Sequence, residues 1–303
     1  MGLPVYSVAL FLALINFSSA VIVPTATLND GYNIPRLALG TYGGDGVQMR
    51  QTINWAIEVG YRHIDTASLY GNEAAIGEGI NDVISRSLVK REDLFVTTKL
   101  WNDKHRRDQV VPALRESLQK LGLDYVDLYL IHSPESDPAG IDYLDTWKGM
   151  EDAQRLGLVK SIGVSNFETE QIERIIANSQ VRPAVNEIEV HPANTREQLV
   201  ADCKALGIEV MAYSPFGFLV SREQKAAPPP QIDDPTLTKI AEKYGKSTTQ
   251  VVLRYLIDRG TIPIPKSTNK DRLQKNIDVF DFQLTPEEVA TINRFNVNKS
   301  VFE

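Results

Sequence analysis

From Arg36 onward, short β-branched apolar runs alternate with amphipathic stretches, and that alternation leaves few folds open. The runs fall at residues 37–39, 62–65, 94–98, 126–131, 159–163, 184–187, 209–213 and 261–265. Each is brief and mostly apolar, as strands covered on both faces are. Between them, Val110, Leu114 and Leu121 recur at helical spacing, as do Leu199, Cys203 and Leu206. Thr195 with Gln198, and Thr285-Pro286-Glu287-Glu288, read as capping boxes at helix starts. Eight such units in one chain predict a single-domain α/β (β/α)8 TIM barrel. A doubly wound sheet is the competitor, but no G-x-G-x-x-G follows the first run.

Residues 1–20 carry no charge, and 5–17 are almost wholly apolar, closing on Ser18-Ser19-Ala20. This is the pattern of a secretory signal peptide, with residues 21–303 as the barrel domain; a buried N-terminal strand or an uncleaved anchor is the alternative. Secretion is thus expected, with a cytoplasmic location as the alternative, and Asn298-Lys299-Ser300 offers a glycan acceptor. No later segment is apolar enough to span a bilayer. The net charge of −7 argues against a nucleic-acid partner. The single cysteine, Cys203, excludes an intrachain disulfide, and four histidines without H-E-x-x-H suggest no metal site. A monomer acting on a small molecule is expected. Two irregular stretches, residues 133–141 and 214–234, lie on the C-terminal side of the runs, where barrels build active sites.

Ionisable groups gather at the same ends. Asp65 closes the second run, with Tyr70 five residues on; Lys99 follows the third and His132 the fourth. In a barrel these runs are neighbours, so Asp65, Tyr70, Lys99 and His132 converge on one rim. A lone terminal Asp is usually a cap and a lone His a core residue; four convergent groups of different pKa are a candidate site. The Lys99 ammonium is expected to lower the Tyr70 pKa, Asp65 to hold Lys99, and neutral His132 to donate to a carbonyl. This set suits protonation of a carbonyl oxygen while another agent delivers hydride.

These residues lie in Gly60-Tyr61-Arg62-His63-Ile64-Asp65-Thr66-Ala67, Tyr70-Gly71-Asn72-Glu73, Thr98-Lys99-Leu100-Trp101 and Leu130-Ile131-His132. With Ile162-Gly163-Val164-Ser165-Asn166-Phe167 and Ile264-Pro265-Lys266-Ser267, they resemble the signature blocks of the aldo-keto reductase superfamily from residue 28 to 295. The resemblance implies NADPH-dependent reduction of a ketone or aldehyde, with Asp65, Tyr70, Lys99 and His132 as catalytic tetrad and Tyr70 as proton donor. It implies cofactor contacts from Gly40, Thr41, Tyr42 and Asp65, and from Ser165, Asn166 and Glu187 about the nicotinamide carboxamide. Tyr213 would stack on the ring, and Ser214, Pro215 and Phe216 would begin the loop over the pyrophosphate. Lys266, Ser267, Thr268 and Arg272 would hold the 2′-phosphate, with Asn276 near the adenine. Two cations and a hydroxyl at a helix start suit a phosphate dianion.

Tyr42, Tyr70, Trp101, His132 and Ser133 are the expected substrate contacts. Tyr42 and Ser133 replace tryptophans of relatives such as aldose reductase, and the loop after the fourth run and the tail after Phe295 are short. A wider site is expected, open to a bulky ketone such as a steroid. Glu187 replaces the usual glutamine, and as a carboxylate it would favour the oxidised, cationic ring. A secretory leader before a reductase barrel is similar to the insect members that reduce 3-dehydroecdysone. A broad-specificity reductase is the alternative; others are a Schiff-base lyase using Lys99 and a non-catalytic cofactor-binding subunit.

Overall fold

The structure, a computed structural model, describes residues 21–220 and 227–302; the leader expected at 1–20 lies outside the described residues. It opens on an antiparallel pair, β1 (Thr25–Thr27) and β2 (Asn33–Pro35), which the sequence reading does not anticipate. Eight parallel strands follow: β3 (Leu39–Gly40), β4 (His63–Asp65), β5 (Phe95–Leu100), β6 (Val126–Ile131), β7 (Val159–Ser165), β8 (Val185–Glu189), β9 (Glu209–Tyr213) and β10 (Thr261–Pro263). They pair in sequence order. The sheet closes on itself where Ala38 N donates to Pro263 O and Gly40 N to Pro265 O, both at 3.1 Å. Gly40 lets the two strands approach closely at this seam, where a Cβ would stand 3.1 Å from Ile264 O. The fold is the expected (β/α)8 barrel, and two runs, 126–131 and 209–213, are strands to the residue.

Helices α1 (Gly46–Val59), α2 (Glu73–Ser85), α3 (Arg107–Leu121), α4 (Tyr143–Arg155), α5 (Thr169–Asn178) and α6 (Glu197–Ala205) fill the first six connections. Two helices, α7 (Pro235–Tyr244) and α8 (Thr248–Asp258), follow β9; α9 (Lys270–Ile277) and α10 (Pro286–Asn293) follow β10. Local chemistry sets their ends. Thr285 and Glu288 form the expected capping box of α10. Asp234 caps α7 with Pro235 in its first turn, which ends the long excursion after β9. Thr195 does not cap α6: Arg196 takes a left-handed φ of 45° before the helix, and Thr195 O instead accepts from Arg259.

Strand alternation divides the core. Val96, Thr98 and Leu100 of β5 face the helices, while Phe95, Thr97 and Lys99 face the barrel interior. Its lower half is a plug of Phe95, Leu128, Leu130, Val185, Met211 and Ile262, covered from below by Ala26, Leu28 and Ile34 of the hairpin. The upper half is polar. This division places Asp65, Lys99 and Glu187 just above a dry apolar floor. Cys203 belongs to the outer apolar layer, and burial pushes its thiol up to about 11. Among the described residues, no helix is long and apolar enough to cross a membrane.

Candidate active site

Adjacent strands bring the first pair together: Asp65 ends β4 and Lys99 lies one residue from the end of β5. Lys99 Nζ donates to both Asp65 oxygens at 2.7 and 2.8 Å and to Thr66 O at 3.2 Å. Its remaining neighbours are Tyr70 Oη at 3.4 Å and Glu187 Oε1 at 3.2 Å. Lys99, Asp65 and Glu187 are 1%, 3% and 2% exposed, so these charges interact with little solvent screening.

Tyr70 ends a single 3-10 turn, Ser68–Tyr70, closed by Gly71 at φ 68°. The Tyr-Gly-Asn-Glu motif explains the turn's position. Asn72 Nδ2 donates to Thr41 O at 2.9 Å, and Glu73 accepts from Thr98 Oγ1 at 2.7 Å and Ser117 Oγ at 3.2 Å. Ser68 Oγ donates to Lys99 O at 3.0 Å, which fixes the turn to β5. His132 follows β6 and donates its backbone N–H to Leu100 O. Its ring meets Tyr70 edge-on at 6.0 Å and Trp101 at 4.9 Å, while Tyr42 meets Tyr70 at 5.1 Å. Ser133 Oγ, beside them, accepts from Asn102 Nδ2. Tyr42 therefore packs on Tyr70 and Trp101 on His132, with Ser133 next in the chain.

The electrostatics follow from burial and one ammonium. Burial, assisted by Lys99, lowers His132 to about 3, so its ring is neutral at ordinary pH. Burial pulls Lys99 down, but the Asp65 carboxylate, bound through both oxygens, outweighs it and holds the ammonium. Burial raises Tyr70, and the opposing Lys99 charge does not overcome it. This corrects the expectation of a lowered tyrosine pKa: the dry floor and the two nearby carboxyls disfavour a phenolate. Tyr70 is thus a phenol, ready to donate.

A second cluster adjoins the tetrad. Ser165 Oγ donates to Glu187 O at 2.9 Å. Asn166, at φ 62°, donates to His132 O at 2.9 Å and accepts from Tyr213 Oη at 2.9 Å. A cleft of about 800 Å³ runs from Asn166 and Tyr213 past Glu168, Arg196 and Asp202 to the tail at Asn296 and Ser300. Ser214, at φ 48°, turns the chain away from β9, followed by Pro215 and Phe216. Farther along the rim, Lys266 bridges to Gly40 and is exposed, and Ser267 Oγ accepts from Arg272 Nε at 3.3 Å. Thr268 and Asn269 lead into α9, whose first turn carries Arg272 and whose buried face holds Asn276. Gly40 and Thr41 lie at the barrel seam, with Thr41 Oγ1 donating to Asp65 O at 2.8 Å. The residues expected to contact the cofactor lie at the C-terminal ends of β7 to β9, in the segment after β10 and on α9.

Residues 36–297 match the Aldo/keto reductase family. The chain belongs to that family. It is 62% identical to aldo-keto reductase AKR2E4 of Bombyx mori over 94% of its own length and 96% of the relative's. It is 41% identical to human aldo-keto reductase family 1 member A1, over 89% of each chain. The crystal structure of the Bombyx mori AKR2E4 in complex with NADP superposes with a TM-score of 0.92. That of AKR2E5 complexed with NADPH, at 45% identity, superposes at 0.89 over 92% of this chain and 89% of that one.

Two features of this aldo/keto reductase depart from the sequence reading. Glu187, read there as a carboxylate near the carboxamide, also meets Lys99 and Asp65, and burial raises it well above the usual range, as does Asp65. This direction works against the ionised form on which the expected preference for a cationic ring depends. The available signal is a strand, Val185–Glu189, that carries two glutamates on alternate residues and so turns both to the barrel interior. The short tail, for its part, does not leave its edge bare. Ser300 Oγ and Val301 N both donate to Glu189 at 2.7 Å, His191 Nε2 meets the same carboxylate, and Phe302 packs on Tyr213 at 5.9 Å. The tail, which the sequence reading treated only as short, thus reaches the rim.

Proposed function

We propose that this chain reduces a carbonyl compound to an alcohol with NADPH, with Tyr70 as proton donor. The observation that carries the reading is the buried ammonium of Lys99 within 3.4 Å of a protonated Tyr70, beside a neutral His132. The dinucleotide, when bound, supplies the hydride. These residues fit such a group: Asn166 and Tyr213 border open space, Glu187 Oε2 is a buried polar atom without a partner among the described residues, and Lys266 and Arg272 flank Ser267 at the start of α9. Two cations there favour NADPH over NADH.

The chain's own groups do the rest. Tyr70 Oη and the His132 ring converge to hold a carbonyl oxygen by two hydrogen bonds. As negative charge develops on that oxygen, Tyr70 gives up its proton, and Lys99 stabilises the phenolate left behind. Asp65 keeps Lys99 charged and fixed. The same geometry disfavours the Schiff-base alternative, since attack needs a neutral amine and the Asp65 carboxylate, bound through both oxygens, keeps Lys99 protonated.

For the substrate, we propose a bulky ketone of the ecdysteroid class, such as 3-dehydroecdysone. Support comes from Tyr42 and Ser133 in place of tryptophans, and from an exposed rim at Tyr42. The secretory leader read from the sequence is compatible with an extracellular steroid. NADPH oxidation measured across ecdysteroid ketones, other steroid ketones, aldehydes and sugars tests this directly. A kcat/KM for 3-dehydroecdysone at least tenfold above small aldehydes is expected; the reverse order identifies a general aldehyde reductase.

A further inference from the structure

Glu187 sits midway along β8 and faces the barrel interior with Val185 and Glu189. Its Oε1 is 3.2 Å from Lys99 Nζ, the same ammonium that binds both oxygens of Asp65. Oε2 is buried with no partner among the described residues. Two carboxyls therefore share one ammonium in a site closed to water. One ammonium balances only one of two buried carboxylates, and leaving the other ionised and uncompensated is costly, so one of them keeps its proton. Asp65 accepts two short bonds from Lys99, whereas Glu187 receives one longer contact, so Asp65 is the ionised member and Glu187 the acid. Burial and the Asp65 charge raise Glu187 in the same sense, with Lys99 opposing. The other groups facing this cluster are neutral His63 of β4, Tyr70 after β4, neutral His132 after β6 and Tyr213 of β9, and none is a competing acid at neutral pH.

We infer that Glu187 is the proton reserve of the site, a neutral carboxylic acid that reprotonates Tyr70 through Lys99. The inference rests on the reductase reading. Once the Tyr70 O–H bond has broken toward the substrate oxygen, a Lys99 N–H bond breaks and its proton forms a new O–H bond on Tyr70. The Glu187 O–H bond then breaks, and its proton restores the Lys99 ammonium. Each heavy atom keeps its electron pair throughout. The net change moves one proton from a carboxylic acid to a phenolate, the stronger base, and leaves the negative charge on a carboxylate beside Lys99. Glu187 regains its proton from solvent after product release. Its role is exerted through Lys99, so it is a positioning and proton-supplying residue for Tyr70.

Infrared spectra of the cofactor-free enzyme at pH 7, with kcat measured against pH, test this. The wild type should show a protonated-carboxyl C=O band, absent from Glu187→Gln and shifted in Glu187→Asp. Its kcat should fall about tenfold per pH unit on the alkaline side as the reserve empties, and this limb should vanish in Glu187→Gln and return in Glu187→Asp. If Glu187→Gln does not fold, the band shift and the limb in Glu187→Asp carry the same decision. A wild-type spectrum without the band, or an alkaline limb unchanged in Glu187→Gln, overturns the inference. Failure of the wild type to reduce any carbonyl overturns the reductase reading instead, while the infrared result still reports the proton on Glu187.

Discussion

The Lys99 ammonium donates to Tyr70 Oη at 3.4 Å while binding both oxygens of Asp65, at 2.7 and 2.8 Å. The tyrosine is thus held beside a cation that is itself immobile. Burial keeps Tyr70 a phenol, and the cation lowers the cost of the phenolate only when the proton leaves. This pairing makes an acid that is stable at rest and able to react.

Removing the cation should be costly for folding as well as for turnover. Lys99→Met leaves Asp65 buried without its partner, and a loss of about 3–5 kcal/mol is expected, as for other broken buried ion pairs. Turnover should fall at least about 100-fold. Urea unfolding with steady-state assays checks both, and a stability loss below about 1 kcal/mol would contradict the buried-pair description.

The neutral histidines predict a specific acid sensitivity. His63 is lowered to about 3, chiefly by burial, from the ordinary 6.5. Its folded value lies below its unfolded one, so it costs no stability above about pH 6.5. Below that, the unfolded chain takes up a proton that the native one refuses. Relative to His63→Gln, the wild type should lose about 1.4 kcal/mol per pH unit as pH falls from 6 toward 4. Urea unfolding at several pH values measures this, and parallel curves for the two proteins would rule it out.

Cofactor choice should reside at the start of α9. Arg272→Ala and Lys266→Ala should each weaken NADPH by about 10–100-fold, the range for a lost charge-assisted hydrogen bond, and leave NADH within about threefold. Fluorescence titration with both dinucleotides decides; equal losses for the two would place these cations away from the 2′-phosphate.

Truncation after Asn298 removes two donors from Glu189 and the Phe302 ring from Tyr213. The carboxylate is left with His191 alone. A loss of about 2–3 kcal/mol is expected, together with a raised KM for bulky ketones. A truncated chain as stable as the full one would show that the tail contact is incidental.

The sequence carried the barrel because strand and helix periodicities alternate cleanly, and it carried the tetrad because each member stands at a strand end. Lys99 and Asp65 were legible as neighbours since β4 and β5 are consecutive. Glu187 was not legible as their partner: β8 reaches them only across the barrel interior, and no local spacing encodes that distance. The hairpin 25–35 escaped notice because strands of three residues carry too little pattern. The sign of the Tyr70 shift was misjudged for a related reason. A sequence names the cation but not the depth of burial that opposes it.

Tyr70→Phe tests the central assignment most directly, because it deletes one oxygen and keeps the ring that packs on Tyr42 and His132. Reduction of a carbonyl substrate by the variant, followed as NADPH oxidation, should fall at least about 100-fold while the NADPH dissociation constant stays within about twofold. Turnover equal to that of the wild type, with NADPH still bound, would contradict the assignment of Tyr70 as the proton donor.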